Sequence, residues 1–96
     1  MIVVMNRIPV AEGREQEFES SFMGGKSAVN QMPGFIEMQV LRPSEGRTYL
    51  VVTRWSTRED FQNWIQSEAF VAAHQQQSPG LVDGRPALEI YEVFVN

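Results

Sequence analysis

Few side chains in this sequence stand apart as candidates for chemistry. There is a single histidine, His74, and there is no cysteine, so neither a thiolate metal site nor a disulfide framework is available. An imidazole can ligate a metal through one ring nitrogen while a carbonyl or carboxylate fixes the other. His74 lies in residues 56–77, STREDFQNWIQSEAFVAAHQQQ, which also hold Trp64, one of two tryptophans. Asn6 is conspicuous for another reason: it falls in phase with Ile2, Val4 and Ile8 on the apolar side of a strand. Buried without a partner, an amide costs on the order of 1–3 kcal/mol, so Asn6 needs one. Each residue also has a plain structural reading. Asn6 can bond to backbone or sit at the strand's exposed end, Trp64 can be core, and His74 can be a hydrogen-bonded or solvated helix residue.

The elements around these residues decide whether they meet. Ser56 as N-cap and Glu59 three residues later form the two halves of a capping box, with Glu59 and Asp60 in a first turn where the helix dipole favours anions. Phe61, Trp64 and Ile65 follow at helical spacing. That phase fails at Phe70, which a straight helix would point opposite Phe61. A break near Ser67 and a second short helix over 68–77 resolves the conflict and leaves Phe70 and His74 one turn apart on the same side. Two helices meeting at an angle can aim Trp64 and His74 into one space.

Residues 1–8 read as a strand whose second side is Val3, Met5 and Arg7. Residues 12–31 read as a helix with a buried stripe of Phe18, Phe22, Gly25 and Val29. Gly24 and Gly25 are costly there, ~1 kcal/mol each against alanine, and Gly25 on the stripe suggests a close approach to the backbone. Pro33-Gly34 marks a turn, 35–42 a second strand, 43–46 a hairpin loop and 47–55 a third strand. After the helical stretch, 78–86 reads as a loop and 87–95 as the last strand. The order β-α-β-β-α-β is the split βαβ, ferredoxin-like unit of the α+β class, with helices on one face of an antiparallel sheet. Strands apolar on both sides require cover on the other face too. No segment of the chain remains for that, so the expectation is a two-fold homodimer packed sheet against sheet.

The 96 residues make a single domain over 1–96. A net charge of −4, a pI of about 4.9 and no cluster of Lys or Arg argue against nucleic acid and anionic membranes as partners. With no basic-then-apolar leader and no apolar run near membrane-spanning length, the expectation is a cytoplasmic protein.

MPGFIEMQVLRP and YLVVTRWSTREDFQNWIQSEAFVAAHQ resemble the antibiotic biosynthesis monooxygenase superfamily of dimeric ferredoxin-like proteins. Within it, the set Asn6 (in Asn6-Arg7), Trp64 and His74 (in Ala72-Ala73-His74) is similar to the Asn/Trp/His triad of the haem-degrading monooxygenases. The resemblance implies haem b as both substrate and cofactor, with His74 as the axial iron ligand and Trp64 pressing the porphyrin out of plane. It makes the Asn6 amide a donor to the oxygen species at the iron. It further implies dioxygen and an external reductant, either a separate reductase or a small molecule, since the chain carries no flavin or nicotinamide fingerprint. Phe22, Phe61, Ile65, Phe70 and Val71 would form the pocket wall. Where the family carries basic side chains on the first helix near the haem propionates, this chain has Ser21 and Gly25, with Lys26 nearby. Two other readings fit the same fold. One is a cofactor-independent monooxygenase of a quinol or polyketide-like aromatic; the other is a non-enzymatic dimer that binds haem or another hydrophobic ligand.

Overall fold

A computed structural model of the chain describes residues 1–23, 28–75 and 78–96. Alternating apolar residues build four strands: β1 (Ile2–Pro9), β2 (Phe35–Leu41), β3 (Thr48–Trp55) and β4 (Ala87–Glu92). They pair antiparallel in the order β2-β3-β1-β4, with β1 between β3 and β4. Between them lie α1 (Glu15–Ser20), a 3-10 helix (Ala28–Gln31), α2 (Arg58–Ile65) and α3 (Glu68–Gln75). The arrangement is the ferredoxin-like βαββαβ sheet with its helices on one face, as the order of elements predicts.

The register puts Ile2, Val4, Asn6 and Ile8 of β1 opposite Trp55, Thr53, Val51 and Tyr49 of β3, all on the helical face. That face is packed at its two ends. At one, Ile2, Val4 and Trp55 meet Phe61 and Trp64 of α2 and Val29 of the 3-10 helix. At the other, Ile8 and Tyr49 meet Phe18 of α1, together with Val10 and Leu81. Asn6 sits on β1 between Val4 of the first cluster and Ile8 of the second. The middle of the sheet is thus the part left unpacked.

Several boundaries differ from the sequence reading. The expected helix over 12–31 is a six-residue α1 and a separate 3-10 helix. Past Ser20 the backbone tightens to i→i−3 bonds, Phe22 N–H to Glu19 O and Met23 N–H to Ser20 O, ahead of the glycine pair that makes a continuous helix costly. Phe22 is consequently 38% exposed instead of on a buried stripe. Gly24, Gly25 and Lys26 lie outside the described residues, as do residues 76–77 at the end of the second expected helix. The N-cap of α2 is Thr57, not Ser56: its hydroxyl accepts from Asp60 N–H at 3.1 Å, while Ser56 N–H is already donated to Gly34 O at 2.8 Å. Gly34 has φ +80°, and a Cβ there would meet the Asp60 carboxylate, so this turn accepts only glycine. β4 stops at Glu92, and Phe94 beyond it is 94% exposed.

The break predicted near Ser67 is present. The Ser67 hydroxyl donates to Trp64 O at 2.7 Å and accepts from Phe70 N–H at 3.1 Å, closing α2 and opening α3 with one side chain.

Candidate active site

The unpacked middle of the sheet is the floor of a cleft of about 1390 Å³. Val4, Asn6, Ile8, Val51 and Thr53 form the floor. Phe18, Phe22 and Met23 stand on one side, and Phe61, Trp64, Ile65, Phe70 and His74 on the other. Val82, Pro86 and Leu88 close the rim beside β4. The wall is mostly apolar with a few polar groups, the pattern of a small-molecule site.

Trp64 is buried, and its ring meets Phe70 edge-on, centroids 5.5 Å apart at 89°. Phe70 in turn underlies His74, with ring centroids 4.0 Å apart. His74 Nδ1 lies 2.9 Å from the Phe70 carbonyl oxygen. A carbonyl only accepts, so Nδ1 carries the proton; in the neutral ring Nε2 then holds the unprotonated lone pair. This fixes both the tautomer and the ring, as at ligating histidines. On the floor, the Asn6 side chain is half-buried and has no hydrogen-bond partner among the described residues. No group of three or more His, Cys, Asp or Glu among the described residues can hold a bare metal ion. The single imidazole suits a metal that arrives with most of its donors already in place.

Asn6, Trp64 and His74 therefore line one cleft, as do Phe22, Phe61, Ile65 and Phe70. Val71 does not: it is 48% exposed and is no part of the cleft wall, to which α3 contributes Ala69, Phe70, Ala72, Ala73 and His74. Lys26 lies outside the described residues. Sequence reasoning missed Thr53. Its hydroxyl oxygen accepts from the buried Trp55 indole N–H at 3.0 Å, which leaves its own proton to be donated elsewhere. A threonine in a strand gives no sequence signal of this; only the register that sets it diagonal to Asn6 reveals it.

A smaller lobe of about 330 Å³ shares Phe22 and Met23 with the cleft and is bounded by Glu19, Arg42, Tyr49 and Val40. Arg42 grips the Glu19 carboxylate with two hydrogen bonds of 2.6 and 2.8 Å, and the Tyr49 hydroxyl donates to it as well. The guanidinium first and the phenol second hold the Glu19 carboxyl at a pKa of about 2, and the same carboxylate pushes the Tyr49 hydroxyl's pKa up. Arg14 braces the other end of α1, bonded to Glu17 at 2.8 Å and to Pro79 O at 2.8 Å.

A family model described as antibiotic biosynthesis monooxygenase matches residues 1–76. The mycobilin-producing heme oxygenase of Mycobacterium tuberculosis is 35% identical over 96 residues, spanning 99% of this chain and 90% of that protein. A heme-degrading monooxygenase of Bacillus anthracis is 36% identical over 80 residues, 80% of this chain and 74% of the relative. Among solved structures, the heme-degrader MhuD of M. tuberculosis, with two hemes bound in its active site, superposes with a TM-score of 0.84 at 33% identity, covering 100% of this chain and 98% of that one.

Proposed function

The chain belongs to the antibiotic biosynthesis monooxygenase family, and from that membership we propose that it is a haem-degrading monooxygenase, opening haem to a linear tetrapyrrole and freeing the iron. The observation that carries the reading is the pairing of His74 Nε2, left open by the bond at Nδ1, with an Asn6 amide that has no partner among the described residues, in one mostly apolar cleft. A flat porphyrin suits such a cleft, and its iron needs one neutral imidazole from the protein.

Haem is the substrate and brings with it the iron at which dioxygen is used. The chain does the rest. His74 holds the iron, and the Phe70 carbonyl keeps the imidazole in the ligating tautomer. Trp64, backed by the core on one side and Phe70 on the other, presents a large rigid ring to the macrocycle. Asn6 offers N–H donors without adding an acid, so it orients a polar group on its side of the ring without protonating it. Phe22, Phe61, Ile65 and Phe70 exclude water from the reacting edge. Electrons come from outside, from a separate reductase or a small reductant. The outer face of the sheet, with Met5 and Val52 paired at its centre and Leu41 and Tyr91 exposed around them, pairs with a second copy. Among the described residues no helix is long and apolar enough to cross a membrane. We place the reaction in the cytoplasm.

Titration of the purified protein with haemin tests the first step: a saturable Soret shift is expected, and its absence rejects the reading. Adding ascorbate in air should then bleach the Soret band and yield a linear tetrapyrrole by mass spectrometry. Haem that binds and survives this treatment would leave a carrier, not an oxygenase.

A further inference from the structure

Haem carries two propionates, ordinary carboxylates that stay ionised near neutral pH and need donors or water. The described residues on the cleft wall include no lysine or arginine, and the one acid among them, Glu17, is taken by Arg14 at 2.8 Å. The chain as a whole has a net charge of −4, so a ligand edge carrying two carboxylates meets an unfavourable field and depends on a local cation.

Arg7, Arg14, Arg42, Arg47 and Arg54 are each committed to a carboxylate. Arg58 and Arg85 have no partner among the described residues. Arg58 opens α2, and neither of its neighbours, Thr57 and Glu59, lines the cleft. Arg85 is exposed in the short loop between Val82 and Pro86, both of which line the cleft. Its backbone is tied down on both sides. Residues 81–83 are bonded to β1 and its extension through Ala11 N–H to Leu81 O at 2.9 Å and Asp83 N–H to Pro9 O at 2.7 Å, and β4 begins at Ala87, opposite Arg7. The acid nearest in sequence, Asp83, faces Arg47 at 3.5 Å.

We infer that Arg85 is the carboxylate-binding residue of the cleft mouth, taking a propionate of the tetrapyrrole on its guanidinium. The planar fork of N–H donors matches a carboxylate in two parallel bonds, and an exposed, otherwise uncommitted arginine gives up no existing ion pair to make them. The inference rests on the haem reading and adds the direction of the ligand to it: propionates toward the loop before β4, the bare macrocycle edge toward Trp64.

The test compares wild type, Arg85→Ala and Arg85→Lys by absorbance titration with ferric protoporphyrin IX and with its dimethyl ester. Arg85→Ala should bind the diacid roughly three- to tenfold more weakly, with Lys recovering part of the loss, while the ester binds all three alike. Equal affinity of wild type and Arg85→Ala for the diacid overturns the assignment while leaving the haem reading intact. An equal loss for diacid and ester also overturns it, since the residue would then act on cleft shape. If wild type binds neither porphyrin, the haem reading fails and this inference falls with it.

Discussion

Asn6 occupies a place in the sheet's apolar alternation where an aliphatic side chain would leave no amide unpaired. Its neighbours on the same face, Val4 and Ile8, are buried, and nothing among the described residues bonds its amide. Asn6→Leu should therefore raise the thermal midpoint, by about 1 kcal/mol of added stability, while haem still binds but is no longer degraded. A calorimetric scan showing a lower midpoint would mean that the amide has a structural partner after all. His74 is the opposite case, an exposed residue with a hydrogen bond and a ring contact to Phe70. His74→Ala should abolish the Soret shift with haemin yet move stability by no more than about 0.5 kcal/mol. An unchanged spectrum would identify the wrong ligand. Both residues were legible in the sequence because each broke a pattern: an amide in an apolar alternation and the only imidazole in the chain. Thr53 broke none, and its place in the site comes from strand register and from the Trp55 indole.

At the level of elements, the α2–α3 seam is what lets Trp64 be buried while His74 faces the open side of the cleft. The seam could be read in advance because the helical phase of Phe61 and Trp64 contradicts that of Phe70. The cap could not be, because Ser56-x-x-Glu59 and Thr57-x-x-Asp60 offer the same chemistry one residue apart. The choice between them is made by Gly34, a residue distant in sequence that takes the Ser56 N–H. Thr57→Ala should accordingly cost about 1 kcal/mol in urea unfolding, with Ser56→Ala close to neutral. The reverse ranking would make Ser56 the N-cap. The first helix is shorter than its pattern predicts for a related reason: the period of Phe18, Phe22 and Val29 is helical, but propensity at the glycine pair opposes it.

For the whole molecule, the sheet's outer face and the charge network set the conditions under which the fold persists. Met5, half-buried on that face opposite Val52, is proposed to lie in the dimer interface. Met5→Lys should yield a monomer by light scattering after size exclusion, and a dimer of unchanged mass would reject the interface. The Glu19 carboxyl, ordinarily near 4.5 and held at about 2 by Arg42 and Tyr49, ties α1 to the sheet. Because its folded pKa is lowered, its contribution is complete above about 4.5 and is lost as pH falls toward 2. Urea midpoints taken from pH 6 down to 2.5 should fall less for Glu19→Gln than for wild type; parallel curves would show the network to be idle. One contrast between the walls of the cleft also bears on how the site empties. Asn6 is laced into neighbouring strands on both sides, whereas α3 leans chiefly on α2 and a short 3-10 turn, with residues 71–74 facing water. A catalyst that consumes its own ligand must release a product shaped unlike what it took in. With His74 as the proposed grip and Asn6 as the proposed reacting side, the gripping wall has the looser moorings, and we propose that it lifts and resets while the other wall keeps its alignment from one turnover to the next.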